Sequence, residues 1–227
     1  PCLIEYVGGT MAMGHNGNLV NAAKIRKELG AEGAIFQSTN DSEVVVHLMA
    51  QSRRNTFVDR AVSALSQVKG AYSIVLMSDN ELIAARDPHG FRPLCLGKLD
   101  GAYIVASESC VMDLVEAEFI RELEPGELFL INKSGIQSFF PFQKTATKQC
   151  VFEHIYFSRP DSYLFGTSVY SVRKLMGQVL AKEKPVEADV VVPVPDSGVI
   201  SAMGYSEESK IPFQMGLIRN HYVGRTF

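Results

Sequence analysis

AYSIVLMSDNELIAARDPHG, Ala71 to Gly90, decides how this chain folds. Two apolar runs, 71–77 and 81–86, are too short for helices, are rich in β-branched and aliphatic residues, and are separated by Ser-Asp-Asn. That pattern predicts an antiparallel hairpin, and Asp87-Pro88-His89-Gly90 predicts a type I turn at its far end, with proline second and glycine fourth. Downstream the theme continues. Strands are predicted over 94–99 and 102–107 around Asp100-Gly101, then a short helix over 109–116, then strands punctuated by Pro125-Gly126 and Ser134-Gly135.

Upstream the period changes. Tyr6 to Met13 reads as a strand broken at Gly8-Gly9, delivering the turn GHNGNL (Gly14 to Leu19), with Asn18 as the cap of a helix carrying Ala22, Ile25 and Leu29 and stopping at Gly30. Residues 34–37 read as a short strand. Asn40 and Glu43 have the spacing of a capping box, with Asp41 placed where a helix dipole favours an anion. Phe57, Ala61, Leu65 and Val68 mark a third helix. Helices segregated from hairpins predict an α+β layered sandwich.

A polar, unpatterned stretch, FPFQKTATKQ (Phe140 to Gln149), predicts a boundary near Thr147, giving domains 1–147 and 148–227. Beyond it a helix over 168–182, a buried strand DVVVPV (Asp189 to Val194), the turn PDSG (Pro195 to Gly198), a helix over 199–208 and a strand PFQMGLI (Pro212 to Ile218) form one βαβ unit. This is the opening of an α/β domain with a parallel sheet.

The chain has 227 residues, 46% of them hydrophobic, with 22 Lys+Arg against 25 Asp+Glu. A net charge of −3 without basic clusters argues against nucleic acid as a partner. No apolar run approaches the roughly 18 residues of a membrane helix. Cys2, Cys95, Cys110 and Cys150 are widely spaced without a CxxC pair, which fits a reducing compartment; the expected location is cytoplasmic.

Several polar groups have chemistry to offer, each beside a plainer reading. Asn16-Gly17 presents an amide side chain and a backbone N–H able to converge on a developing oxyanion, yet Asn-Gly is also a common turn dipeptide. Asp41 is placed to take an ammonium group or merely to complement a helix dipole. PDSG lies where a parallel strand would meet a helix, the usual ligand edge of an open α/β sheet, and exposed N–H groups there hold phosphate. RNHYVGRTF (Arg219 to Phe227) suits a basic loop over an anionic ligand, or a solvated loop. The five histidines show no metal-ligand spacing.

Together these segments resemble a known family. HNGNLVNAAKIRKEL, STNDSE, RDPHGFRPL, ASES and EPGE are similar to the glutaminase domain of N-terminal-nucleophile amidotransferases. CVFEHIYFSRPDS, VPVPDSG and RNHYVGRTF resemble, in order and spacing, the glutamine phosphoribosylpyrophosphate amidotransferases. The resemblance implies an αββα N-terminal-nucleophile sandwich followed by the start of a type I phosphoribosyltransferase domain.

It also implies that a cysteine nucleophile hydrolyses glutamine and that the released ammonia displaces pyrophosphate from phosphoribosyl pyrophosphate, committing the product to purine synthesis. By the same resemblance Asn16 and Gly17 form the oxyanion hole, and Asp41 binds the α-amino group of glutamine. Asp196, Ser197 and Gly198 hold pyrophosphate, and Arg219, Tyr222 and Arg225 belong to the loop that closes over the sugar. Cys150 matches a cysteine that ligates a 4Fe-4S cluster in one branch of the family, whose remaining ligands would lie beyond Phe227, with a buried thiol as the alternative. Mg2+, a homotetramer and inhibition by purine nucleotides follow from the likeness alone.

The family's nucleophile would precede Pro1, Cys2 lacks its glycine-rich context, and the loop for the ribose 5-phosphate would follow Phe227. The sequence is therefore expected to be an internal fragment, inactive by itself. Two other readings stay open: an amidotransferase acting on another acceptor, and a non-catalytic phosphoribosyl pyrophosphate sensor.

Overall fold

A computed structural model describes residues 2–6 and 8–224. The chain divides between Cys150 and Val151 into two units. In the first, the hairpin that opened the sequence reading is present as β3 (Gly70–Met77) and β4 (Glu81–Arg86), numbering strands from β1 (Cys2–Tyr6) and β2 (Gly9–Leu19). With β8 (Leu128–Asn132) and β9 (Gly135–Phe139) they form a six-stranded antiparallel sheet in the order β1-β2-β3-β4-β8-β9. A second sheet pairs β5 (Cys95–Leu99) with β6 (Ala102–Ala106) on one side and β7 (Glu118–Glu122) on the other.

Strand alternation sends every second side chain of the first sheet to one of two cores. Met11, Met13, Tyr72, Ile74, Leu76 and Ile83 face the helices α1 (Ala22–Ala31), α2 (Glu43–Gln51) and α3 (Phe57–Leu65). Ala84 and Phe129 face the other way and meet Leu94, Leu96 and Leu123 between the sheets. On the outer face of the second sheet lies α4 (Cys110–Leu114), whose Met112 sulfur sits 2.3 Å from where a Cβ on Gly97 would be. The layers run helix, sheet, sheet, helix.

The structure corrects several expectations. GHNGNL is no turn: β2 runs through it, because residues 12–19 pair continuously with residues 77–70 of β3. Ladder pairing with a neighbouring strand outweighs the local preference of Asn-Gly for a bend. Asn18 therefore caps nothing. Asn21 precedes α1 and clasps the chain end before β3, its amide donating to the Gln67 carbonyl and accepting from the Lys69 N–H. The helix runs past Gly30 to Ala31, and 34–37 form no strand. Glu43 makes no capping box; its carboxylate turns back to accept from the N–H groups of Gln37 and Ser38.

In the second unit, a π-turn (Glu153–Phe157) and a small hairpin of β10 (Tyr163–Leu164) and β11 (Thr167–Ser168) lead into α5 (Val169–Glu183), capped by the Ser168 hydroxyl. Helix α6 (Val199–Ser209) packs on α5 so closely that a Cβ on Gly177 would lie 1.9 Å from the Ser201 carbonyl oxygen, and one on Gly204 would lie 2.0 Å from that of Lys174. Small residues are what let two helix backbones approach this far.

The two strands expected around α6 appear as a single parallel bridge, Val191 to Phe213. Val190, Val192 and Val194 are 38%, 40% and 70% exposed, so the run expected to be buried is open here. A parallel strand is covered only when neighbours flank it and helices lie on both faces.

Candidate functional site

In the first unit the polar groups gather where β2 ends and α2 begins. Gly17 pairs with Tyr72, and a Cβ at Gly17 would stand 2.0 Å from the Ala71 carbonyl oxygen. No side chain fits there, so the close strand approach, not a turn, is what requires glycine. Asn16, one residue back, points to the face shared with the second sheet, where its amide Nδ2 donates to the Ser107 hydroxyl at 3.1 Å.

Asp41 meets the same strand at its end. Its Oδ2 accepts the Leu19 N–H at 2.7 Å, and its Oδ1 lies 3.2 Å from the Ser42 hydroxyl and 3.9 Å from His15 Nδ1. The carboxylate lines a cavity of about 370 Å³ with Ala22, Ala23, Arg26 and Thr39. Asn16 near the end of β2 thus reaches toward the second sheet, while Asp41 binds the strand's last residue from the helical layer.

The loop that carries Asp41 is held from two sides. Arg26 on α1 donates to the carbonyls of Ser38 (2.8 Å) and Asn40 (2.7 Å) while stacking on the Phe36 ring. Glu43 takes the amide hydrogens of Gln37 and Ser38 and the Ser38 hydroxyl. Burial alone would raise its carboxyl, but these hydrogen bonds and the Arg26 charge outweigh it and hold Glu43 below the ordinary range. His15 moves the other way. Burial lowers it against the pull of Asp41, so the ring is neutral at pH 7.

The DPHG turn is architecture. Asp87 is fully buried and accepts from the N–H groups of Tyr72, His89 and Phe91. Arg86 beside it donates to the carbonyls of Arg92 and Gly90 and lies 3.7 Å from Glu122.

In the second unit Asp196 and Ser197 line a cavity of about 650 Å³ with Tyr156, Arg159, Asp161 and Arg219. Gly198 closes the turn, its N–H donating to the Val194 carbonyl, 2.7 Å from where its Cβ would be. The peptide bond between Pro195 and Asp196 is cis. Arg219 donates to Asp196 at 3.0 Å, and Arg159 binds Asp161 through two hydrogen bonds of 3.0 and 2.7 Å. Buried Arg173 also reaches this cavity, giving three arginines against two aspartates. Tyr222 is fully exposed, and Arg225 lies outside the described residues.

Sequence reasoning missed Arg26, Glu43, Ser42 and His15 in the first unit, and Arg159, Asp161 and Arg173 in the second. The signal was present in STNDSE and SRPDS, but only contacts with distant residues reveal what these side chains hold.

An iron–sulfur cluster needs a set of thiolate ligands. Cys150 binds the Phe91 carbonyl through its backbone N–H, and Cys95 and Cys110 are buried at the second sheet. Among the described residues no three His, Cys, Asp or Glu side chains group to hold a metal. No helix among the described residues is long and apolar enough to cross a membrane.

Residues 2–113 match the family model of a glutamine amidotransferase domain. Amidophosphoribosyltransferase 1, chloroplastic, of Arabidopsis thaliana is 50% identical over all of this chain and 40% of its own length. The amidophosphoribosyltransferase of Bacillus subtilis is 48% identical over 96% of this chain and 46% of its own. The solved structure of the glutamine phosphoribosylpyrophosphate amidotransferase from B. subtilis, complexed with ADP and GMP, superposes with a TM-score of 0.94 at 47% identity, covering all of this chain and 50% of that one. The chain spans about half the length of the curated relatives it matches.

Proposed function

We propose that the chain is part of an amidophosphoribosyltransferase, since relatives of that name match it at 48–50% identity over 96–100% of its length, and that it serves their reaction. Glutamine, phosphoribosyl pyrophosphate and water become 5-phosphoribosylamine, glutamate and pyrophosphate, the first committed step of purine synthesis. The first unit is the glutaminase. Asn16 Nδ2 and the Gly17 N–H donate to the oxygen that becomes negative when a thiolate adds to the glutamine amide, and the Asp41 carboxylate takes the α-ammonium. Donors fixed in place before the charge develops cost no reorganisation when it appears, and one such donor contributes on the order of 3 kcal/mol.

The second unit begins the phosphoribosyl-transfer site. Asp196, Ser197 and Gly198 hold the pyrophosphate at the start of α6, where the helix dipole favours an anion and no side chain caps the helix. Arg219, Tyr222 and Arg225 close over the substrate. Phosphate oxygens compete with Asp196 and Asp161 for their arginine partners, which are exposed and exchangeable. Mg2+ would supply charge neutralisation on the diphosphate held by Asp196, Ser197 and Gly198. A cytoplasmic homotetramer inhibited by purine nucleotides completes the reading; the B. subtilis relative was solved with ADP and GMP.

The observation that carries this reading is the attachment of Asp41 to the end of the strand that bears Asn16 and Gly17. In the full-length protein, Asp41→Asn should raise the KM for glutamine at least tenfold while synthesis from free ammonia persists. Equal loss of both activities would remove Asp41 from glutamine recognition.

A further inference from the structure

His15, Ser42 and Asp41 form a chain of polar contacts that crosses from β2 to the head of α2. Ser42 Oγ lies 2.7 Å from His15 Nδ1 and 3.2 Å from Asp41 Oδ1, while His15 Nε2 lies 3.4 Å from the Ala71 carbonyl oxygen. A carbonyl only accepts, so Nε2 carries a hydrogen whether the ring is neutral or charged. In the neutral ring Nδ1 is then an acceptor, and the single Ser42 hydroxyl hydrogen goes to it. Asp41 Oδ1 receives nothing from Ser42 in that state and keeps its lone pairs for a ligand.

Protonation reverses the chain. Nδ1 gains a hydrogen and donates it to Ser42 Oγ, whose own hydrogen turns to Asp41 Oδ1. At the same time a positive charge appears 3.9 Å from the carboxylate. Both changes compete with an incoming ammonium group. Asp41 has little freedom to swing away from this competition, because Leu19 holds its other oxygen and Arg26 and Glu43 clamp its loop.

We propose that His15, acting through Ser42, is the positioning residue that keeps Asp41 open to the α-ammonium of the amino-acid substrate, and that protonating His15 closes this subsite. The inference rests on the reading of Asp41 as the ammonium partner. The charged groups that act on the ring are Asp41, from the loop before α2, and Arg92, from the segment after the Asp87 turn, with opposite effects. Glu43 on α2 is engaged elsewhere, 3.7 Å from both Arg26 and His47. The His15 side chain is 3% exposed, and its burial keeps the ring neutral to below its ordinary value.

The test uses L-glutamate on the full-length protein, because this product carries the same α-ammonium and is not turned over. Its Kd is measured by calorimetry between about pH 8 and about pH 5.5, alongside the His15 ring resonances by NMR, which report both folding and titration. The expected result is a roughly tenfold weakening on acidification whose midpoint coincides with the ring titration, from a unit charge near a partly solvated carboxylate.

His15→Asn, which puts an uncharged amide at the Nδ1 position, should bind within a few-fold of wild type near pH 8 and show no step. Ser42→Ala should leave the ring titrating while shrinking the step. A wild-type Kd that stays flat while His15 titrates overturns the proposal, as does an unchanged step in His15→Asn. If Asp41→Asn binds L-glutamate as tightly as wild type near pH 8, the ammonium reading itself falls.

Discussion

The two units spend their charges differently. In the first, carboxylates sit inside hydrogen-bond cages: Glu127 is 1% exposed and takes two hydrogen bonds from Arg121, one from the Ser138 hydroxyl and one from the Glu124 N–H. In the second, the Arg219–Asp196 pair has side chains 42% and 57% exposed, and Arg159–Asp161 is equally open. A caged carboxylate is a fixed part of the fold, whereas an exposed pair gives up its partner to a better anion. The same contrast holds for the sheets. Hairpins bring antiparallel neighbours together within a few residues, so the first unit closes two cores, while around α6 the second unit shows a parallel bridge and exposed valines.

Glycine substitutions should break both units about equally, against that contrast. Gly204→Ala pushes a methyl into the Lys174 carbonyl and Gly17→Ala into that of Ala71, each 2.0 Å away. In both cases backbone has to move, so each variant should lose about 3 kcal/mol or more in chemical denaturation. A near-neutral Gly204→Ala would show that the α5–α6 contact gives way, leaving the second unit soft in its helices as well as in its sheet.

Next in size comes the caged carboxylate. Glu127→Ala leaves Arg121 without its bidentate partner and should cost about 3 kcal/mol, discounted because Arg121 is partly exposed. Burial alone would raise the Glu127 carboxyl, but Arg121, Ser138 and the Glu124 amide outweigh it and the net direction is down from 4.5. Its stabilisation is therefore complete above about pH 4.5 and lost as pH falls through the lower folded value.

His15 contributes at a higher pH. Its folded value lies below 6.5, so below that pH the unfolded chain takes up a proton that the folded chain refuses. Wild type should begin to lose stability under pH 6.5, and His15→Asn should postpone the loss until the carboxylates titrate. Denaturant midpoints measured across that range separate the two windows.

The smallest expected effect is the sharpest for the comparison. Asp196→Asn removes an exposed pair and should change stability by less than about 0.5 kcal/mol. A loss as large as that of Glu127→Ala would mean that the second unit's charges are structural after all.

The sequence by itself determined the strands between Gly70 and Phe139 and most of the helices. Those follow from apolar period, β-branched content and turn chemistry, which act over a few residues. The motifs also carried the resemblance to the relatives it matches, since SRPDS, VPVPDSG and HNGNL are specific in order and spacing. GHNGNL itself was misread as a turn because its conformation is set by β3, more than fifty residues later. What Glu43 holds, and which way the Ser42 hydroxyl points, were equally out of reach: each depends on a partner that only the folded chain brings within hydrogen-bonding distance. Local preference is written along the chain, but a ladder partner or a proton's destination is a property of residues that meet only once the layers have packed.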